Sequence, residues 1–279
     1  MEQVKSNKLR NSVSKEYTEK LNQKGGFCAH QLETEFGYGE DELQSLPQDA
    51  VDSSFGCANP LAMGTLNPGD TVVDLGSGAG IDVILAAQRV GEKGRVIGVD
   101  MTGAMIDKAR RNIAEIRKGV IESLPVESNS VDWVISNCVV SLSPDKEQVF
   151  SEVFRVLKPG GKMLLSDLVV EPLPAWLRAV VALKSPASAK ALDRERYLAT
   201  VSASGLANVT LRAELVYDET MLYGLVMDEL NIRSSFWHSV FAMNGSQILS
   251  HLLNPLVKPV VRYGANKISS IKVYAEKPL

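Results

Sequence analysis

Three glycines, two aspartates and three cysteines carry the chemistry open to this chain. The stretch Thr71-Val-Val-Asp-Leu-Gly-Ser-Gly-Ala-Gly80, followed by Val96-Ile-Gly-Val-Asp100, spells a strand, a glycine turn, a helix start and a second strand ending in a carboxylate. Gly76, Gly78 and Gly80 lack Cβ, so the backbone can turn sharply and approach a ligand closely, and the following helix directs free N–H groups at it. Asp100, at a strand end, is placed to accept from two ribose hydroxyls. The pattern reads as a nucleoside-cofactor site. A GxGxxG dinucleotide fingerprint fails, because its third glycine would fall at Ala79 or Ile81.

The cysteines form a second set. Cys57 lies in Phe55-Gly-Cys-Ala-Asn-Pro60, shortly before the glycine turn; Cys138 follows Ser136-Asn137 at the end of the fourth strand; Cys28 ends the loop Gly25-Gly-Phe-Cys28. Strand ends of this kind line the ligand crevice of open α/β sheets. A single cysteine there is as readily a small buried hydrophobe, whereas two flanking one cleft point to thiolate chemistry. The cysteines and the three histidines show no CxxC or HxxxH spacing, which argues against a structural zinc. His30 either poises Cys28 or is solvated. Asp167, at a strand end, either orients substrate or is structural.

The elements that must position these residues alternate. Strands are expected at 71–75, 95–100, 115–118, 131–136 and 162–168, with helices at 80–90, 103–113 and 144–157, so the sheet is parallel and covered on both faces. Almost no loop remains between a helix ending at Ile113 and a strand beginning at Glu115, so either the helix ends earlier, near Arg110, or the element is shortened. An amphipathic helix over 8–24 precedes a cap rich in Gly, Asp, Glu and Ser, with a short helical piece at 40–45. The domain plan is a cysteine-bearing cap over 1–60, a cofactor-binding unit over 61–170, and a C-terminal module over 171–279. In that module helices are expected at 175–184 and 193–204 and a strand at 209–216. The last strand, 269–275, is expected as an antiparallel edge.

Composition narrows the function. The chain has 279 residues, 45% of them hydrophobic, and a net charge of −3; it supports one core with an appendage, and supplies no basic field for nucleic acid. The N-terminus has no apolar signal core and no run reaches a membrane span, so a cytoplasmic location is expected. There, three cysteines read as thiols, ligands or redox partners, not a permanent disulfide frame. Residues 218–262 hold Phe236, Trp237, Phe241 and a string of leucines, which read as a helical hairpin closing the core or a homodimer face; an interfacial membrane helix is the other reading.

The DxGxGxG beginning at Asp74 resembles motif I of class I S-adenosylmethionine methyltransferases, and Val156-Leu-Lys-Pro-Gly-Gly-Lys-Met-Leu-Leu165 is similar to their late PGG turn and strand. The closer resemblance, over about 10–210 and the final strand, is to the arsenite S-adenosylmethionine methyltransferases. It rests on 25–28, Gly-Cys-x-Asn-Pro at 56–60, 74–80, Gly-Arg-Val-Ile-Gly-Val-Asp-Met-Thr at 94–102, Glu-Ser-Leu-Pro at 122–125 and Ser-Asn-Cys-Val at 136–139. The resemblance implies a Rossmann-like class I methyltransferase fold that binds S-adenosylmethionine. Its pocket would comprise Asp74, Gly76, Ser77, Gly78, Gly80, Asp100, Met101, Ile121, Glu122 and Asn137. Asn137 and Ser136 either line the cofactor's methionine end or cap the next helix.

By the same resemblance Cys57 and Cys138 would ligate trivalent arsenic, the substrate. Cys28 would be an accessory thiol that pairs with Cys57 or helps discharge the product. A thiol reductant such as glutathione or thioredoxin would be the partner. Thiolates suit the soft ion and leave its lone pair free to attack an electrophilic methyl. Two departures stand out. The family's further cysteine falls at about 183–190, where this chain reads Leu-Lys-Ser-Pro-Ala-Ser-Ala-Lys, with Ser185 and Ser188 nearest; and the acid often found after the third-strand glycine is Val120 here. The first favours a monomethylated arsenical over arsenite. It also leaves open a small-molecule C-, O- or S-methyltransferase, or a non-catalytic arsenical or cofactor binder.

Overall fold

The computed structural model describes residues 2–22, 37–56, 58–112, 115–175, 191–223 and 259–279. Helix α1 (Glu2–Asn22) is followed by two short helices, α2 (Glu40–Gln44) and α3 (Gln48–Val51), and a 3-10 turn at Pro60–Met63. The alternating region then runs β1 (Thr71–Leu75), α4 (Ile81–Val90), β2 (Arg95–Asp100), α5 (Gly103–Ala109), β3 (Ile116–Lys118), β4 (Val131–Asn137), a 3-10 turn at Val140–Leu142, α6 (Lys146–Val156) and β5 (Leu157–Val170). Helix α7 (Arg194–Ala203) and strands β6 (Ala207–Val216) and β7 (Ile268–Glu276) complete the set.

The seven strands form one sheet in the order β3-β2-β1-β4-β5-β7-β6. Pairings among β1 to β5 are parallel, and those of β7 with β5 and β6 are antiparallel. The chain winds outward from β1 through β2 to β3, then returns to place β4 on the other side of β1. That reversal opens a crevice beyond the carboxyl ends of β1 and β4, where open α/β sheets bind ligands.

Side chains alternate between two cores. Val73, Leu75, Val134, Met163 and Leu165 face α6 and α7, which contribute Val149, Phe150, Val153, Tyr197 and Val201. Val72, Trp133, Ile135 and Leu164 face the other layer, with Ile81, Leu85, Ala86 and Val90 of α4. The spacing 149, 150, 153, 156 keeps one stripe of α6 on the sheet. Asp145 starts that helix by accepting from Gln148 N at 3.0 Å, and Asp193 starts α7 by accepting from Arg196 N at 2.9 Å.

Three expectations need adjusting. β7 is antiparallel but interior, hydrogen-bonded on both sides, with β6 as the edge; its residues Ser269–Ile271 and Val273–Ala275 are buried, a burial that a covered strand shows and an edge does not. Helix α5 ends at Ala109, with Arg110 as its cap residue, which supplies the missing loop before β3. Helix α1 begins at Glu2, earlier than its apolar pattern indicates. The helix expected at 175–184 and most of 218–262 lie outside the described residues.

Candidate functional site

One cavity opens at the β1/β4 reversal, and the ten residues expected of the cofactor pocket all border it: Asp74, Gly76, Ser77, Gly78, Gly80, Asp100, Met101, Ile121, Glu122 and Asn137. Cys138 borders it too. Cys28, Cys57, His30, Ser185 and Ser188 lie outside the described residues.

The floor is the turn after β1. Gly76 N and Ser77 N donate to Val99 O at 2.7 and 3.1 Å, tying the turn to β2. Gly76 has φ 67°, and a Cβ there would lie 2.4 Å from a Val139 methyl, so glycine is required by conformation and by space. At Gly78, φ is 53° and a Cβ would meet nothing within 4 Å. Its missing side chain leaves room, and room beside backbone amides is what a ligand cradle needs. Ser77 is buried at 7% exposure, and its Oγ has no hydrogen-bond partner. The hydroxyl packs over Gly98 of β2, where a Cβ would lie 2.8 Å from it, so Gly98 makes room for the Ser77 side chain.

Asp100 closes the floor. One carboxylate oxygen accepts from Gly78 N at 2.9 Å and the other from Thr102 N at 2.7 Å. Burial raises its pKa against those bonds. The same carboxylate thus fixes the glycine turn and borders the cavity.

A polar knot forms the opposite wall. Tyr38, from the loop before α2, donates to Asp82 Oδ1 at 2.8 Å, and Asn137 Nδ2 donates to Tyr38 Oη at 3.0 Å and to Asp82 Oδ2 at 3.1 Å. Asn137 also bonds both backbone groups of Ala58, accepting from Ala58 N at 3.2 Å and donating to Ala58 O. It therefore ties the cap to β4 and α4, and caps no helix. Gly56 lets it pass, since a Cβ there would overlap the Asn137 amide. Burial pushes Asp82 up to about 6, opposed by the bonds from Tyr38 and Asn137. Asp74 is raised well above the ordinary range by burial and by the Asp82 and Asp100 charges. Tyr38 is raised by burial and by Asp82, so it remains a donor.

Cys138 follows directly. It adopts φ 59°, a left-handed conformation rare for a residue with a Cβ, and its N–H donates to Ser166 O at 2.7 Å. The bend turns the chain off β4 into the 3-10 turn, whose Ser141 N donates to the buried Asp167 at 2.7 Å. Asp167 also accepts from Tyr197 of α7 at 3.1 Å and does not border the cavity. Its role is to hold the turn after Cys138. Cys138 is disulfide-bonded in this structure.

Helix α1 roofs the cavity. Arg10, Val13 and Tyr17 border it, Leu9 and Val13 pack near Met101 and Leu142, and Tyr17 meets Phe55 edge-on at 5.6 Å. Arg10 Nε stands 3.3 Å from Glu122, which also accepts from Ser143 Oγ at 2.5 Å. Tyr38, Asp82 and Arg10 escape a reading by motif. Asp82 lies two residues past the glycine turn and Tyr38 is an aromatic amid Gly and Glu, the only local signals either carries. Among the described residues, no group of three or more His, Cys, Asp or Glu is arranged to hold a metal, and no helix is long and apolar enough to cross a membrane.

A mostly parallel sheet with a glycine turn and a strand-end aspartate at its reversal defines a Rossmann-like methyltransferase domain of class I, whose cofactor is S-adenosylmethionine. The family model described as "Methyltransferase domain" matches residues 66–215, and the chain belongs to that family. It is 49% identical over 162 residues to the arsenite methyltransferase of Halobacterium salinarum, covering 54% of this chain and 41% of that protein. With the Mus musculus arsenite methyltransferase it shares 37% identity over 147 residues, 47% of this chain and 39% of that one. The chain thus spans about two fifths of the length of these relatives. The crystal structure of an arsenic(III) S-adenosylmethionine methyltransferase from Chlamydomonas reinhardtii superposes with TM-score 0.64 at 28% identity, over 85% of this chain and 73% of that one.

Proposed function

We propose that the protein transfers the methyl group of S-adenosylmethionine to a trivalent arsenical held by the thiolates of Cys57 and Cys138. The observation that carries the reading is Cys138, bent by its left-handed backbone into the wall of the cavity that also holds the glycine turn and Asp100. The identity to arsenite methyltransferases supports the same substrate.

The bound donor would supply an electrophilic methyl on a positively charged sulfur. Asp100 and the turn at Gly76–Gly80 would hold its nucleoside, and Asn137 would fix the cap over it. The arsenic lone pair forms the new As–C bond while the S–CH3 bond breaks with its electrons staying on sulfur. No general base is required, so the protein's contribution is alignment and exclusion of water. The transfer raises arsenic by two oxidation levels, and thiols can return the two electrons by closing a disulfide. Cys28 and an external thiol such as glutathione or thioredoxin would then reopen it, since the bonded Cys138 seen here must be reduced before it can ligate.

With no cysteine over 183–190, only two thiolates are provided, and methylarsenite, which already carries one carbon, needs only two. A methyl-acceptor screen by mass spectrometry on the reduced protein tests this. Methylarsenite is expected to accept methyl faster than arsenite, and Ser185→Cys or Ser188→Cys should narrow the difference. Methyl transfer to an organic acceptor that survives in the Cys57→Ser/Cys138→Ser double variant would replace this reading with a small-molecule methyltransferase. Tight arsenical binding with no transfer would make the protein a sequestering one.

A further inference from the structure

The cavity's charge is unbalanced. Of the described side chains that border it, Asp74, Asp82, Asp100 and Glu122 are acidic and Arg10 alone is basic, and Arg10 stands beside Glu122. Three aspartates from β1, α4 and β2 therefore border one space with no protein cation among them. The methyl donor carries a sulfonium and an ammonium against one carboxylate; its demethylated product keeps the ammonium and carboxylate but has a neutral sulfur.

We propose that the sulfonium charge of S-adenosylmethionine drives a proton from the Asp74–Asp82 pair into solvent, so that the protein selects the cationic donor over its product S-adenosylhomocysteine. This rests on the cofactor reading above and adds the group that discriminates. Unlike the glycine turn, which would meet nucleosides of donor and product alike, the pair responds to the one charge by which they differ.

The surroundings of Asp82 favour such a response. Tyr38 and Asn137 bond its carboxylate, Asp74 lies on the neighbouring strand, Glu42 of α2 adds like charge, and Arg89 of α4 offsets it while bridged to Glu42 at 2.6 Å. The outcome is a carboxyl pushed up to about 6, beside an Asp74 raised further from its ordinary value by burial and by the Asp82 and Asp100 charges. Near pH 6 the Asp82 carboxyl is still in part protonated and has a proton to lose. An incoming positive charge favours the ionised form, so donor affinity rises with pH in that region.

Calorimetric titration of the full chain with S-adenosylmethionine and with S-adenosylhomocysteine, at pH 6.5 in two buffers of different ionisation enthalpy, counts the protons. The donor should release more than the product, and the ratio of donor to product affinity should climb with pH, by up to about tenfold per pH unit where one proton is released. Asp82→Asn should flatten that climb. Tyr38→Phe, which removes a bond that stabilises the charged carboxylate, should move it to higher pH and gives a second variant should Asp82→Asn fail to fold. Equal proton counts for the two ligands, or a ratio independent of pH, would overturn the proposal. If neither ligand binds at all, the cofactor reading itself falls and this proposal with it.

Discussion

The two walls of the cavity are built in opposite ways. The floor, Asp74 to Gly80 with Asp100, comes from one turn and the next strand end, and its bonds all run from that turn to that strand: Gly78 to Asp100, Gly76 to Val99. The far wall joins Tyr38, Ala58, Asp82 and Asn137, and its bonds cross 20 to 99 residues of chain. The floor is set by backbone geometry, and in the proposed function it is the rigid receptor for the cofactor. The far wall is a knot of side chains that ties the cap to the sheet, and cutting one of its bonds should weaken the others.

The largest effect expected from this contrast is at the junction of the two walls. Cys138→Ser should reduce methyl transfer to arsenicals by more than about a hundredfold, because a hydroxyl is a hard, neutral ligand. It should leave S-adenosylmethionine affinity within about twofold, since the floor is untouched; calorimetry and product analysis separate the two.

On the floor, Asp100→Ala removes the acceptor of Gly78 N and Thr102 N as well as that expected for the ribose hydroxyls. Cofactor binding should weaken by roughly 1.5–3 kcal/mol, the range for hydrogen bonds to a charged group. Gly76→Ala should cost about 1–3 kcal/mol of stability from the left-handed φ and the Val139 overlap. Denaturant unfolding would read it.

In the far wall, Tyr38→Phe leaves the buried Asp82 short of a donor and should cost roughly 1–2 kcal/mol. The wall should also give the apo protein a pH signature. Asp82 has its pKa raised in the folded state, so its contribution to stability is full below the unfolded value of about 3.9 and is lost as pH rises through about 6. Thermal unfolding of the apo protein between pH 4.5 and 7.5 would show that loss, and Asp82→Asn should reduce it, leaving the part owed to Asp74, Asp100 and Asp167, which burial also raises.

The smallest effect is expected where the cap meets the sheet through exposed charge. Lys108 reaches Asp49 at 2.8 Å and bonds Ser53, but Asp49 is 46% exposed. Lys108→Met should therefore change stability by less than about 1 kcal/mol.

How much could be read beforehand follows the same division. The floor was legible because a strand, a glycine turn and a strand-end acid are adjacent in sequence and each has a conformational reason. The parallel sheet was legible from the alternation of apolar runs, and the early end of α5 from the lack of loop before β3. The far wall was not, because nothing in Phe36-Gly-Tyr-Gly39 states that Tyr38 will meet Asp82 forty-four residues on. That contact is a product of tertiary packing. The interior place of β7 was missed for a related reason. An alternating last strand reads as an edge, while pairing on both sides buries even Ser269 and Ser270.

The most direct test of the central claim is a single-turnover assay with the thiol-reduced protein in excess over methyl-labelled S-adenosylmethionine, with methylarsenite added and the label followed by mass spectrometry. The account predicts label on arsenic in the wild type, and none in Cys138→Ser despite retained donor binding. Label that stays on the donor in the wild type, or reaches arsenic equally well in Cys138→Ser, would contradict it.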